Sequence, residues 1–224
     1  MNKGTLIRMV AVRLLVAIPV LFAFFFLPAG TISYWEAWVY MAIIFIPMLL
    51  VLAYLLKNDP DLLERRMKMR ERETEQKLIV KLSVFQFLLA YLLPGFDQRF
   101  GWSNVPAAVV IVAELLVLTG YGIFFLVLRE NRYASRVIEV EQAQQVITSG
   151  PYRIVRHPMY LGLLAFYIFS PLALGSYWAM IPAFLIVPIF VARIRNEEIV
   201  LTRDLKGYQE YKQKTTNRLI PGIW

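Results

Sequence analysis

Two short polar segments in the C-terminal third of the sequence contain the residue types that do acid–base and charge-recognition chemistry. The first, 150–160, holds His157, the only histidine among 224 residues, together with two arginines. The second, 193–198, begins with Arg193 and ends with two adjacent glutamates. Each segment lies where an apolar run meets polar sequence. An imidazole, guanidinium groups and carboxylates at such a boundary predict a site for a polar ligand at a membrane surface.

The composition predicts an integral membrane protein. The chain is 58% hydrophobic and only 18% charged, which is unusual for a soluble domain of this length. It has no cysteine, which excludes disulfides, thiolate metal sites and a cysteine nucleophile. A single histidine without an acidic cluster in the loops argues against a zinc or di-iron site. The net charge of +8 is better explained by membrane topology than by nucleic-acid binding.

Six apolar runs define the expected fold, an all-α membrane protein formed by a single domain over 1–224. Three runs have the roughly 20 residues that cross a bilayer, and the others are shorter. We interpret the first run as a retained helix because it lacks a small-residue cleavage site. The last two are separated only by Gly175 and Ser176, which predicts a tight helical hairpin, followed by a C-terminal amphipathic helix. The runs are 10–28, 38–56, 78–93, 106–128, 160–174 and 177–191.

The distribution of basic residues predicts the orientation. With six crossings, the N-terminus, the 57–77 and 129–157 segments and the C-terminal tail lie on one side. Of the 24 lysines and arginines, all but Arg99 fall on that side or at its edge. The positive-inside rule places that side, with both termini and the polar site, in the cytoplasm. Tryptophans near the opposite helix ends suit an aromatic belt, namely Trp35, Trp38, Trp102 and Trp178.

Two cytoplasmic segments are predicted to be helical. In 57–77, Asp59 is placed to cap a helix whose first residue is Pro60. Its apolar residues predict a helix lying on anionic headgroups, or alternatively a solvated charged connector. These residues are Leu62, Leu63, Met67 and Met69. The tail 193–214 is expected to continue the last helix, because an apolar stripe recurs at helical spacing. The stripe comprises Ile194, Leu201, Leu205 and Tyr208.

The hairpin brings the two polar segments together. Its two cytoplasmic ends lie side by side, so His157 and Glu197 should be neighbours. Pro158 suits the first turn of a helix, where free backbone N–H groups favour a carboxylate or phosphate. The alternative is that Arg153 and Arg156 only anchor lipid headgroups and His157 is a helix cap. Likewise, Arg193 and Glu197 are four residues apart, which also fits a surface ion pair.

Glu114 lies inside the fourth apolar run. A carboxylate at that depth is costly and is a functional hypothesis by default. The alternative, which we favour, is a neutral or hydrogen-bonded glutamate between helices.

The C-terminal part of the chain resembles the isoprenylcysteine carboxyl methyltransferase family and its bacterial relatives. The motifs that carry the resemblance are 144–152 (QQVITSGPY), 156–162 (RHPMYLG) and Arg193-x-x-x-Glu197-Glu198-x-x-Leu201. A Tyr208-x-x-Tyr211 pair and the terminal 218–221 (RLIP) extend it. The resemblance covers about 129–221, and 59–65 is similar to bacterial members. Phospholipid N-methyltransferases are more distant relatives.

This resemblance implies S-adenosylmethionine as the methyl donor and 129–221 as the cofactor-binding and catalytic region. Arg193 would hold the methyl acceptor, and Arg193 and Glu197 would be the catalytic residues. The acceptor implied is lipophilic and drawn from the bilayer. The expected cofactor-binding residues are Gln144, Gln145, Val146, Ile147, Tyr152, His157, Pro158, Met159, Tyr160, Glu197 and Glu198.

The chemistry of methyl transfer suits these residue types. A sulfonium methyl group is already electrophilic, so the protein must mainly align the reactants and exclude water. A carboxylate acceptor is ionised at neutral pH and needs no base, and an arginine can orient it. An amine acceptor would need a base, for which His157 or Glu198 are candidates.

Two other functions remain open at this point. A membrane reductase of sterol-reductase-like architecture would use Arg153 and Arg156 to bind NADPH. A non-enzymatic scaffold would use its basic faces to bind anionic lipid, and Glu197→Gln would then change nothing. Membrane lipids, and not nucleic acid, are the expected partners in each case.

Overall fold

In a computed structural model, described for residues 3–67, 74–134, 140 and 144–224, every regular element is a helix. This confirms the all-α prediction for the described chain. A single 3₁₀ turn, Gly150–Arg153, precedes the sixth α-helix. The helices are α1 (Lys3–Ala29), α2 (Trp35–Asn58), α3 (Pro60–Met67), α4 (Thr74–Phe100), α5 (Ala107–Glu130), α6 (Pro158–Ala173), α7 (Met180–Phe184), α8 (Ile186–Asp204) and α9 (Tyr208–Lys214).

Three of these helices are long and apolar enough to cross a membrane. They are α1 over Gly4–Ala29, α2 and α5, with 24 to 26 residues each. At a rise of about 1.5 Å per residue, such lengths exceed the roughly 30 Å of a bilayer core. A helix satisfies its own backbone hydrogen bonds, so long apolar helices are the expected elements of a membrane protein.

The interior at the end of the bundle far from 150–160 is aromatic and hydrogen-bonded. Phe25, Tyr40 and Tyr91 are fully buried among α1, α2 and α4. The Tyr40 hydroxyl lies 2.8 Å from the Tyr91 hydroxyl and 2.5 Å from Oγ of Ser170. Because hydroxyls within apolar surroundings need partners, this network joins α6 to the first helices of the bundle.

Glu114 of α5 lies in this part of the structure without such support. Its side chain is buried, and neither carboxyl oxygen has a hydrogen-bond partner in the described chain. The interpretation favoured from the sequence is a neutral or hydrogen-bonded glutamate between helices. The described residues give it no hydrogen bond, and its neutral form stays a prediction. A functional role for Glu114 stays a prediction.

Helix α3 forms as its sequence predicts but packs differently. Asp59 Oδ1 accepts a hydrogen bond from the backbone N–H of Leu62 at 2.9 Å, which is the expected cap. Leu62 and Leu63 are fully buried against Leu6 and Val10 of α1. Neither a helix lying on headgroups through these leucines nor a solvated connector describes them, because α3 packs them onto the protein. Met69 lies outside the described residues.

Helices α5 and α6 approach each other closely at Gly120 and Gly162. A Cβ atom added to Gly120 would lie 2.5 Å from the carbonyl oxygen of Gly162, and one added to Gly162 would lie 2.7 Å from that of Gly120. The two backbones therefore touch, as small residues allow in membrane helix pairs. This contact sets the position of α6, whose first turn carries 157–160.

Gly120→Ala is expected to lower the thermal unfolding temperature of the detergent-purified protein. The new methyl group meets backbone atoms that cannot move without shifting α6, and such overpacking costs about 1–3 kcal/mol. The matched control is Gly122→Ala on the same helix, where an added Cβ has no atom within 4 Å. The control should leave the unfolding temperature unchanged or raise it. Equal unfolding temperatures for the two variants would contradict the proposed role of the contact.

The C-terminal part turns twice at glycines. Gly175, with φ of 72°, ends α6 and begins the return towards α7 and α8, in agreement with the predicted hairpin. Gly207, with φ of 86°, separates α8 from α9. The tail is therefore not the single continuous helix that the stripe predicts. The stripe residues Ile194, Leu205 and Tyr208 are nevertheless buried, because the break folds α9 back onto the same site.

Candidate functional site

A pocket opens where the end of α5, the start of α6 and the C-terminal half of α8 meet. Three groups of residues predicted from the sequence line it: 144–147, Tyr152 with 157–160, and Arg193 with Glu197. The apolar side chains of Val146, Ile147 and Met159 lie among polar ones, which suits a ligand with both characters. Of the predicted site residues, Glu198 is not among those that line the pocket.

The segment before α6 is held by the C-terminal segment 215–219. The backbone N–H of Arg156 donates to the carbonyl of Asn217 at 3.0 Å, and that of His157 donates to the carbonyl of Arg218 at 2.9 Å. Arg156 Nη1 also donates to the carbonyl oxygens of 215 and 216, each at 2.7 Å. Arg156 is buried. It is therefore a structural residue and not a headgroup anchor, whereas Arg153 is exposed.

The N-terminus of α6 offers fewer free backbone donors than expected from the sequence. The N–H groups of Tyr160 and Leu161 both donate to the carbonyl of His157, and Pro158 has no N–H. With His157 bonded to the tail, the N–H of Met159 is the one left for a ligand in this described turn. His157 is the N-cap residue of α6, as the alternative predicted, but its side chain makes no capping hydrogen bond.

Glu198 joins these segments behind the pocket. Its carboxylate accepts hydrogen bonds from Nε of Arg156 at 2.7 Å and from Nε of Arg218 at 2.9 Å. Nε2 of His157 lies 3.4 Å away. Burial raises the pKa of the Glu198 carboxyl, but the interactions with His157, Arg156 and Arg218 outweigh it and hold the pKa well below its usual range. An ionised carboxylate of this kind is a poor general base.

Glu197 and Arg193 meet through a tyrosine of α6. Nε of Arg193 donates to the hydroxyl oxygen of Tyr160 at 2.9 Å, and that hydroxyl donates to Oε2 of Glu197 at 2.7 Å. Nδ1 of His157 lies 4.0 Å from Oε1 of Glu197, so the hairpin does make these two residues neighbours. The pocket thus has a guanidinium and a carboxylate held in fixed relation at the end of α6.

Other lining residues were not singled out from the sequence. Asn131 follows the last residue of α5 and donates from Nδ2 to the Tyr152 hydroxyl at 2.7 Å, with Tyr133 and Ala134 beside it on the pocket wall. Burial raises the pKa of Tyr152, while the bond from Asn131 lowers it; the net shift is upward. A polar residue directly after a membrane helix was the only available signal. The sequence alone does not predict how the segment between Asn131 and the motif at 144–152 folds. It therefore does not show that Asn131 lies near Tyr152.

Two buried polar atoms in the pocket wall have no hydrogen-bond partner in the described chain. They are Nε2 of His157, which lies 3.4 Å from the Glu198 carboxylate without hydrogen-bond geometry, and the hydroxyl of Tyr208, in residues that are 4% and 3% exposed. Unpaired buried polar atoms are rare in folded proteins and call for an explanation. At the wall of a pocket, the Tyr208 hydroxyl fits a site that binds a polar ligand.

Fold and site together define a multi-pass, all-helical membrane protein with a polar ligand pocket at one end of its helices. Comparison with known proteins agrees. The phospholipid methyltransferase family model matches residues 108–206. This match includes α6, Arg193 and Glu197, which the pocket uses.

Individual relatives extend this match. The protein-S-isoprenylcysteine O-methyltransferase B of Arabidopsis thaliana is 28% identical over 143 residues, which cover 61% of this chain and 69% of the relative. The A protein of the same plant is 27% identical over 145 residues, covering 62% and 71%. A probable protein-S-isoprenylcysteine O-methyltransferase of Oryza sativa subsp. indica is 29% identical over 136 residues, covering 58% and 67%.

These matches confirm the resemblance carried by the motifs. The protein is a membrane methyltransferase, and its sequence is similar to those of the plant protein-S-isoprenylcysteine O-methyltransferases. Such an enzyme requires a methyl donor. Neither the reductase nor the lipid-binding scaffold is favoured by these matches.

Proposed function

We propose that the protein transfers a methyl group from S-adenosylmethionine to the carboxylate of a lipophilic acceptor of the isoprenylcysteine type. The observation that carries the proposal is the arrangement of Arg193, Tyr160 and Glu197 beside the pocket at the end of the helices. It supplies a cation for an acceptor carboxylate next to an anion for a donor ammonium group. The relatives named above act, by their names, on isoprenylcysteine.

The pocket fits the methyl donor on chemical grounds. S-adenosylmethionine has an aromatic base whose faces can pack on apolar side chains, together with hydroxyls, a carboxylate and a cationic amino group. Val146, Ile147 and Met159 offer apolar surface, and Glu197 offers a carboxylate. The backbone N–H of Met159 has no acceptor of its own in the described chain. The unpaired hydroxyl of Tyr208 offers one more polar contact. We assign donor binding to the residues predicted above, except that Glu198 acts through Arg156 and His157.

Bound in this pocket, S-adenosylmethionine supplies a methyl group that is already electrophilic. The protein is then left to position the acceptor and exclude water. Arg193 holds the acceptor carboxylate, which is ionised at neutral pH and needs no base. Tyr160 contacts both Arg193 and Glu197 and so fixes their relative positions. The acceptor and the methyl donor are thereby held side by side. Glu198 accepts hydrogen bonds from two arginines and is therefore a poor base for an amine acceptor. This favours a carboxylate acceptor, which needs no base.

The membrane arrangement we propose completes this function. In addition to the three long apolar helices, α4, α6 and the α7–α8 pair supply three further crossings. Both termini and the pocket then lie in the cytoplasm, which the basic residues favour and where the methyl donor is available. The acceptor reaches the pocket from the bilayer, because α6 and α8 continue from the pocket into apolar sequence.

The proposal is tested first by calorimetric titration of the detergent-purified protein. S-adenosylmethionine and its demethylated product should bind saturably, and NADPH should not. Glu197→Gln and His157→Ala should each weaken binding by about tenfold or more, because a hydrogen bond to a charged group contributes about 1.5–3 kcal/mol.

The matched control for Glu197→Gln is Asp204→Asn on the same helix. Asp204 pairs with Arg203 at the surface, at 2.7 Å, and lies outside the pocket. Its variant should bind the donor like the wild type. Binding of NADPH without S-adenosylmethionine would overturn the proposed function and favour the reductase.

A further inference from the structure

Tyr208 lines the pocket, and its buried hydroxyl has no role in the function proposed so far beyond a general polar contact. It is the first residue of α9 and is placed there by the turn at Gly207. Its ring is 3% exposed and packs with Leu205, Tyr211 and Val146. Val146 belongs to the segment that carries the predicted donor-binding residues. The side chain of Tyr208 therefore reaches from the C-terminal segment into the wall of the pocket.

The hydroxyl of Tyr208 has no hydrogen-bond partner in the described chain. Tyr211, its neighbour in the Tyr-x-x-Tyr pair, differs in this respect, because its hydroxyl donates to the carbonyl of Tyr152 at 2.7 Å. A phenylalanine would fill the same space as Tyr208 without leaving a buried hydroxyl unpaired. The hydroxyl is thus unfavourable in the unliganded protein, and a contact made only in a complex would account for it.

We propose that Tyr208 is a ligand-binding residue whose hydroxyl forms a hydrogen bond with a polar group of the methyl donor. This inference rests on the proposed function. Burial raises the pKa of Tyr208, and the carboxylates of Glu198 and Glu197 raise it further, so the hydroxyl is protonated and able to donate. Tyr208 and Glu197 both line the pocket that we assign to the donor.

Tyr208→Phe tests this assignment through two measurements with opposite expectations. The unliganded variant should unfold at the same temperature as the wild type or higher, because an unpaired buried hydroxyl has been removed. Its affinity for S-adenosylmethionine and for the demethylated product should fall about tenfold, which corresponds to one lost hydrogen bond of about 1.4 kcal/mol. The increase in unfolding temperature that either ligand causes should shrink accordingly.

Tyr211→Phe is the matched control for stability. It removes a hydroxyl of the same type from the same helix, but one that is paired with Tyr152. Its unliganded unfolding temperature should be lower than that of the wild type, because the carbonyl of Tyr152 loses its strongest donor. The two variants should therefore shift stability in different directions.

The outcomes separate this inference from the proposed function. If the wild type binds the donor and Tyr208→Phe binds it equally well, the assignment of Tyr208 is wrong and the proposed function stands. A lower unfolding temperature for unliganded Tyr208→Phe would also overturn the assignment, since it would reveal a partner within the protein. If the wild type binds neither the donor nor its product, the proposed function fails and the inference fails with it.

Discussion

Arg193→Ala is expected to reduce methyl transfer by roughly 10²–10³-fold, the range seen when one oriented electrostatic contact to the reacting group is removed. Arg193 is the cation of the pocket that faces the proposed acceptor, and it is held by the Tyr160 hydroxyl at 2.9 Å. Without it, an acceptor carboxylate in the pocket lacks the counter-ion that we assign to it. The measurement is turnover of an S-isoprenylated cysteine with a free carboxylate, beside calorimetric titration with S-adenosylmethionine.

Donor binding by Arg193→Ala should remain close to that of the wild type. The Tyr160 hydroxyl still donates to Glu197 at 2.7 Å, so the carboxylate assigned to the donor keeps its position. Arg193→Lys is the informative companion, because lysine keeps the charge but not the planar, bidentate geometry of arginine. It should fall between the wild type and the alanine variant. Equal losses of donor affinity and turnover in Arg193→Ala would show that the two roles are not divided in this way.

Glu198→Gln should produce the largest loss of stability among the site variants. The change removes the only negative charge that contacts both Arg156 and Arg218 in the described residues. Arg156 is 7% exposed, and breaking a buried ion pair from one side typically costs about 3–5 kcal/mol. The unfolding temperature of the detergent-purified protein measures this loss. Asp204→Asn, which alters an exposed pair on the same helix, should leave it unchanged.

The effect of Glu198 should also depend on pH. Its pKa is lowered in the folded protein from an ordinary value of 4.5. Its stabilisation is therefore fully present above about pH 4.5 and is lost as the pH falls towards the folded-state pKa. The difference in unfolding temperature between wild type and Glu198→Gln should be largest near neutral pH and smaller at about pH 4. A difference that does not change over this range would exclude the proposed linkage.

Much of the site was recognisable from the sequence because its residues lie in short, dense motifs. The segments 144–152, 156–162 and 193–201 contain most of the residues that line the pocket. Tyr208 was recognised only as part of a motif and received no role, because an unpaired hydroxyl is a property of packing. Asn131 and Tyr133 were missed because a loop residue gains a function only when the loop is folded against a partner.

The sequence by itself determined the membrane helices and the meeting of two polar segments. Apolar runs of sufficient length form helices that satisfy their own backbone, and a tight turn at Gly175 brings the ends of α6 and α8 together. These are local properties. They require no knowledge of how distant parts of the chain pack.

Only the tertiary structure decided what Glu197 and Glu198 do. The sequence indicated that they point about 100° apart on one helix, and we assigned both to the ligand. In the folded protein, Glu197 lines the pocket beside Tyr160, whereas Glu198 holds Arg156 and the C-terminal segment together. Which carboxylate lines the pocket depends on how α8 is rotated against α6. It also depends on the contact of 215–219 with the start of α6. Both depend on contacts between residues 20 to 60 positions apart, which no local pattern encodes.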